Sequence, residues 1–375
     1  MITDPLGIAT VIAGVAAIGL WLDRTYAWAA KVSSALLVLA LGAVLSNLGL
    51  VPAASPVYDG VFGPVTSLAI VWLLFGVRFS DLKGAGPRML GAFGLAVLGT
   101  SAGALVAGLV YAGAFDGDVW RLAGVLTGTY SGGSLNFVAV GREVDLPSSL
   151  FSAAAAADAM VTGIWMGATL LLPLWLGKRY RPIPAPAPSE STAPPSSPLV
   201  GAELRITDLA IIIALGFAIL NASSALHGLV PAVPEILWLT TLSLGVAQLP
   251  AIRSLHGALP LGYLALHLFF AVIGIGSRVD EILRVGPEVL YITALVVLVH
   301  GLVVYGGAWL ARLDVGTTSV ASQAAVGGPS SALALAIARD WPRLALPGVA
   351  VGLLGYAVGT YAGLGVAWLV RALVG

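Results

Sequence analysis

The chain has 375 residues, 58% hydrophobic and 10% charged, with 18 basic and 18 acidic side chains and no cysteine. A water-soluble globule of that balance would expose large apolar patches, a neutral chain has no electrostatic claim on nucleic acid, and the lack of cysteine excludes disulfides, thiolate metal sites and cysteine nucleophiles. What remains is a polytopic α-helical protein whose solvent is mostly lipid, in which the 47 glycines serve close helix packing.

The first apolar run, 5–22, follows Asp4 and lacks a basic n-region, so it reads as a membrane span and not as a cleaved leader. Further runs follow at 28–51, 60–77, 88–114, 119–141 and 150–177. The composition then changes: 178–205 opens with Lys178, Arg179 and Arg181 and continues through Pro184, Pro186, Pro188, Pro194, Pro195 and Pro198 among serines, the make-up of a solvated linker. Six more runs occupy 206–229, 234–250, 258–277, 288–311, 315–340 and 344–372. Most approach the roughly 20 residues needed to cross a hydrocarbon core of about 30 Å. Trp21, Trp28, Trp120, Trp175, Trp341 and Trp368 fall near their ends, as interfacial tryptophans do.

The segments on either side of the linker, 1–177 and 206–375, resemble each other. Gly76, Arg78, Gly86, Pro87 and Leu90 return as Gly276, Arg278, Gly286, Pro287 and Leu290, and Asp81 is answered by Glu281. Gly132-Gly133 matches Gly327-Gly328, and Gly163-x-x-x-Gly167 matches Gly359-x-x-x-Gly363. An internal repeat of this extent is an organisation of secondary transporters. Arg78, Arg278 and the Gly-Pro pairs after them read as turns at segment ends.

The fifth run of each half carries its glycine pair among small polar residues, Thr127-Gly-Thr-Tyr-Ser-Gly-Gly-Ser-Leu-Asn136 and Ser322-Gln-Ala-Ala-Val-Gly-Gly-Pro-Ser-Ser331. Glycine and proline break such a segment into two arms of about 10 residues, each about 15 Å long. A broken spanning helix and a re-entrant hairpin both fit. The positive-inside rule separates them. With twelve crossings the 18 Lys and Arg divide 8 to 10; with both fifth segments re-entrant they divide 13 to 5, the smaller group being Arg121, Arg142, Arg278, Arg284 and Arg371. The re-entrant reading is favoured. It gives five crossings per half, an odd number, and therefore two inverted repeats of five transmembrane helices, each with a hairpin before its last helix. The linker 178–205 is then cytoplasmic, both termini lie outside, and the hairpins at 119–141 and 315–340 enter from opposite faces so that their tips approach one another.

Irregular backbone at membrane depth needs protein or a water-filled cavity to satisfy it, so the tips mark a polar site. The arm after each glycine pair starts a helix whose amides and positive dipole end suit an anionic group. Ser131, Gly132, Gly133, Ser134 and Asn136 in the first hairpin, and Gly327, Gly328, Ser330 and Ser331 in the second, are the candidate substrate contacts. Thr129, Ser322 and Gln323, near the ends of the preceding arms, are candidate ligands for a small hard cation. Asp158, set in the alanine-rich stretch 153–159, joins them, because an intramembrane carboxylate is costly and usually functional. His267 and His300 lie in apolar runs with no metal-ligand partner at i+3 or i+4 and read as core hydrogen-bonding groups. No nucleophile–base pair stands out, so an enzyme is not expected, nor any cofactor beyond a coupling sodium ion.

On these residues, the stretch Thr127 to Val140, Asp158 and the stretch Ser322 to Pro329, the chain resembles the YjcL-like bacterial membrane proteins over nearly its full length. In layout and in its Gly-Gly tips it is also similar to the sodium/glutamate symporters and the 2-hydroxycarboxylate transporters. That similarity implies inverted five-helix halves, a homodimer in the cell inner membrane and an elevator movement. Unlike a site built to clamp citrate or glutamate, the last helix of each half offers no arginine before Arg371. The expectation is a sodium-coupled carrier of a small anionic or zwitterionic solute such as an amino acid, carboxylate or short peptide, with a passive channel as the alternative.

Overall fold

Helices form over every apolar run. The structure, a computed structural model, describes residues 1–32, 34–52, 54–181, 204–277 and 279–374, and all regular elements among these are helical. The linker 178–205 is therefore described only at its two ends, and Arg278 lies outside the described residues.

Local chemistry explains where several helices begin. Asp4 accepts from the Gly7 amide at 2.7 Å ahead of Pro5–Thr25, and Asp314 accepts from the Thr317 amide at 2.7 Å ahead of Val315–Ala338. Ser55 accepts from Val57 at 3.2 Å with Pro56 in the first turn. Each side chain satisfies an amide the helix cannot, and proline there gives up no hydrogen bond. Eight stretches are long and apolar enough to cross a membrane, one of which, 56–110, holds more than one helix. The chain is a multi-pass membrane protein.

The structure differs from expectation at three places. Glu235–Ala247, with 13 residues, is too short to span alone. The turn expected at Gly86-Pro87 is a break inside Leu82–Val110, where Gly86 takes φ 74°, ψ 160°. Its counterpart Pro287 sits within the helix Val279–Leu310.

The chain forms two compact units, and neither is a sequence half. The first comprises Met1–Phe75, Leu146–Ala159 and Ala202–Tyr291; the second comprises Gly76–Asp145, Met160–Gly201 and Ile292–Gly375. In the first, Ser34–Asn47 packs backbone to backbone on Ala258–Ile275: a Cβ on Gly42 would lie 2.6 Å from the Ala271 carbonyl oxygen. Buried hydrogen bonds fix this unit, His267 Nε2 with Ser34 Oγ at 2.9 Å and the Trp72 indole donating to the Ile212 carbonyl at 3.1 Å. Asn47 donates to the carbonyls of Ala43 and Ser277, which ties off the end of its helix.

The second unit contains both Gly-Gly segments. It is built from Leu82–Val110, the later part of Ser148–Leu176, the later part of Val279–Leu310 and Pro342–Val374. Leu82–Val110 and the end of Val279–Leu310 run antiparallel: a Cβ on Gly103 would touch Val296, one on Gly99 would lie 3.0 Å from the His300 carbonyl, and one on Gly307 would lie 3.1 Å from Leu95.

Candidate functional site

The first Gly-Gly segment consists of Val119–Gly132 and Ser134–Glu143, parted by Gly133 at φ 74°, ψ −169°. The second, Val315–Ala338, is parted by Gly328 at φ 78°, ψ −173°. In both pairs it is the second glycine that adopts this backbone, one essentially closed to residues with a Cβ. Both chains double back there. A Cβ on Gly128 would lie 3.0 Å from Val140 Cγ2, whereas a continuous helix would put those positions about 18 Å apart. In the second, Val320 Cγ1 and Ala332 Cβ both lie within 3.3 Å of where a Gly348 Cβ would sit. These are helical hairpins.

Their tips share one seat. Gly132 lies so close to the Gly355 carbonyl that any Cβ would overlap it, and a Cβ on Gly352 would lie 2.7 Å from the Cα and N of Pro329. Gly352 and Gly355 are less than a turn apart on Pro342–Val374, so one short stretch of one helix carries both tips. The approach is glycine against glycine: a Cβ on Gly363 would meet the Gly124 carbonyl at 2.8 Å, and one on Gly359 the Gly128 carbonyl at 2.9 Å. Gly124, Gly128 and Gly132 form one four-residue stripe and Gly355, Gly359 and Gly363 the other, as in small-residue membrane packing. Gly163 and Gly167, the repeat counterparts of Gly359 and Gly363, face open space.

Asn136 locks the first tip. Its Nδ2 donates to the Gly355 carbonyl at 3.1 Å and its Oδ1 accepts from Thr360 Oγ1 at 2.7 Å, so both ends of the buried amide are committed to Pro342–Val374. Ser134 and Ser330 open the second arms and are exposed; Ser331 is half-buried. The Thr129 carbonyl accepts from the Gly133 amide at 2.5 Å.

The expected cation ligands of the second hairpin sit in a buried network that the sequence did not reveal. Ser322 Oγ contacts His300 Nε2 at 2.9 Å and Trp165 Nε1 at 3.0 Å, and His300 Nδ1 contacts Thr100 Oγ1 at 2.9 Å and the Ala96 carbonyl at 3.1 Å. A carbonyl carries no proton, so Nδ1 bears the hydrogen and Nε2 accepts from Ser322, whose oxygen in turn accepts from the indole. The Thr100 hydroxyl passes its own proton to the Tyr130 carbonyl at 2.9 Å. In a continuous helix that carbonyl would receive the Ser134 amide; beyond the break at Gly133 the threonine serves it instead. Every proton in the line from Trp165 to Tyr130 thus has an assigned place, and the line joins the two hairpins.

Ser131 and Gln323 stand apart from this line. Ser131 Oγ and Gln323 Nε2 are fully buried and have no hydrogen-bond partner among the described residues. Gln323 Oε1 accepts from Thr169 at 3.2 Å, which turns the amide nitrogen toward the tip, where it and Ser331 Oγ would meet a Cβ on Gly327 at 2.6 and 2.5 Å. Buried donors without partners are rare in folded proteins; Ser131 lies one residue before its glycine pair and Gln323 four residues before its own. Asp158 is half-buried and belongs to the first unit. Among the described residues, no group of three His, Cys, Asp or Glu side chains is arranged to hold a metal ion.

The model of a family described as "Protein of unknown function (DUF819)" matches residues 10–373. The chain belongs to this family. A relative, "Uncharacterized membrane protein YjcL" of Bacillus subtilis (strain 168), is 28% identical over 372 residues, covering 94% of this chain and 93% of the relative. The match spans both hairpins and the helix that seats them, so the features above belong to the part of the chain that the family model describes.

Proposed function

We propose that this protein is a secondary active transporter, coupled to a cation and to sodium in particular, that carries a small anionic or zwitterionic organic solute. The observation that carries the reading is the shared seat: two helical hairpins bring their tips to Gly352 and Gly355 of one helix and hold Ser131 Oγ and Gln323 Nε2 in the interior without partners. A solute held between the tips would receive those two groups, Ser331 and the amides that open the second arms. The start of a helix favours negative charge, and among the described residues of this unit no arginine is fully buried.

Inversion of the repeats is supported by the pair Thr100 and His300. They are 200 positions apart, the same offset that relates Gly76 to Gly276 and Pro87 to Pro287, and they touch where their helices cross antiparallel. Equivalent residues meet on the axis that relates two repeats, and antiparallel crossing puts that axis across the helices, in the membrane plane. Re-entry of each hairpin from its own face follows from the same symmetry. The elevator movement draws support from the two compact units, each assembled from both halves: the unit with both hairpins would be the one that moves. The homodimer and the cytoplasmic linker belong to the same proposal.

Uptake into proteoliposomes tests it. An imposed inward sodium gradient is expected to drive saturable accumulation of at least one amino acid, carboxylate or short peptide; failure of all of these, or unitary currents in a planar bilayer, would count against a carrier.

A further inference from the structure

Away from the hairpin tips, the second unit holds a cavity of about 540 Å³ lined by Arg179, Tyr180, Arg181, Trp309, Leu310, Arg312 and Leu313. The segment after Ser148–Leu176 is brought there by specific contacts: the Tyr180 hydroxyl donates to the Tyr305 carbonyl at 2.5 Å, and Arg181 forms an isolated backbone bridge with Asp314. Three arginines thereby line one cavity, all three exposed, and none forms an ion pair among the described residues. The neighbouring carboxylate is committed elsewhere, since Asp314 is 4% exposed and accepts from the amide and hydroxyl of Thr317. A positive surface of this kind attracts anions.

Arg312 has φ 54°, the left-handed conformation that closes a helix, with its amide donating to the Trp309 carbonyl at 3.1 Å and the Leu313 amide to the Ala308 carbonyl at 2.9 Å. That cap fixes the backbone of the third arginine at the rim of the cavity. The rest of the lining is apolar and open: Trp309 is 56% and Leu310 74% exposed at the end of a membrane helix. Guanidinium groups beside an apolar wall suit a phosphate joined to hydrocarbon, because arginine pairs bidentately with phosphate and indole sits at the headgroup level.

We propose that Arg179, Arg181 and Arg312, with Trp309 and Leu310, bind the phosphate of an anionic phospholipid. The site is separate from the hairpin tips and does not depend on the transport reading. It takes a phosphate group from a lipid headgroup, and inorganic phosphate is the soluble rival with the same chemistry.

The test uses the full-length protein in neutral detergent, with lipid retention read by native mass spectrometry and stability by thermal unfolding, against phosphatidylglycerol, phosphatidylcholine and inorganic phosphate in parallel. Phosphatidylglycerol is expected to be retained and to raise the melting temperature, phosphatidylcholine to do neither. Arg179→Gln/Arg181→Gln and, separately, Arg312→Gly should each weaken retention about tenfold or more. Arg312→Gly relieves the left-handed strain, so its melting temperature without lipid should equal or exceed that of the wild type, which keeps loss of binding distinct from loss of fold. An equal rise with inorganic phosphate alone, abolished by the same substitutions, overturns the lipid assignment in favour of a soluble phosphate ligand. Retention unchanged in both variants, or no preference for phosphatidylglycerol over phosphatidylcholine, overturns the site.

Discussion

Thr100 and His300 share a hydrogen bond of 2.9 Å between residues 200 positions apart, in the offset that relates the two halves of the chain. The contact does two things. It holds Leu82–Val110 to the later part of Val279–Leu310 in unit two, and it passes a chain of donors from Trp165 through Ser322 and His300 to the Tyr130 carbonyl beside the first tip. A buried histidine in this setting is a neutral bridge with a fixed tautomer.

The bridge predicts a measurable coupling. Thr100→Val leaves the Tyr130 carbonyl without its donor, and His300→Phe keeps the ring volume but removes both nitrogens. In a double-mutant cycle, read from unfolding in mixed micelles, the pair should show a coupling energy of about 0.6–1.7 kcal/mol, the range for hydrogen bonds inside membrane proteins. Strict additivity would mean that the two hairpins are not joined through this contact.

The glycines at the tips should respond differently according to what constrains them. Gly328→Ala meets no atom within 4 Å, so its penalty is backbone strain alone, of order 1–3 kcal/mol. Gly132→Ala carries no such strain but must displace the Gly355 carbonyl and the Asn136 amide, so it should destabilise more and abolish the proposed transport. Gly163→Ala, with open space around it, should be neutral or stabilising by up to about 1 kcal/mol. The order of melting temperatures expected is therefore Gly163→Ala highest, then Gly328→Ala, then Gly132→Ala.

Much of this was legible in the sequence because the signals are local. Apolar runs place most helices to within a few residues, although Leu82–Val110 and Val279–Leu310 start six and nine residues before their runs, and glycine pairs flanked by Ser131 and Ser134 or by Pro329 and Ser330 place both breaks. The seat was less legible. Gly163-x-x-x-Gly167 and Gly359-x-x-x-Gly363 read alike, yet only the second pair packs on a hairpin, and nothing in the motif itself says which face of its helix is covered. The network escaped for a related reason: Trp165 and Ser322 are 157 positions apart, and a buried hydrogen bond leaves no periodicity in the sequence. The repeat offset could have paired Thr100 with His300, but equivalence alone does not imply contact.

Asn136 and Ser131 separate structure from recognition. Asn136→Ala removes two hydrogen bonds and leaves the Thr360 hydroxyl and the Gly355 carbonyl without their partners, so thermal stability should fall by about 1–3 kcal/mol with no solute present. Ser131→Ala deletes a buried hydroxyl that has no partner, so the empty protein should be as stable as the wild type or slightly more so. If Ser131 contacts the solute, the same change raises the apparent KM for uptake. A clear loss of stability in Ser131→Ala without solute would place that hydroxyl in the fold and remove it from the site.

Asp158 carries the last prediction. It is the carboxylate of an alanine-rich stretch in Ser148–Leu176, half-buried in the first unit. In the proposed function this carboxylate serves the coupling cation, since a charge inside a membrane segment is costly, and the second half supplies no equivalent, holding Gly352, Leu353 and Leu354 in the corresponding stretch. Asp158→Asn keeps the shape and removes the charge, so uptake driven by a sodium gradient should be lost while the protein still folds. Counterflow exchange of solute, which needs no net ion movement, should survive better than gradient-driven accumulation. Wild-type sodium dependence in Asp158→Asn would take this residue out of the proposed coupling.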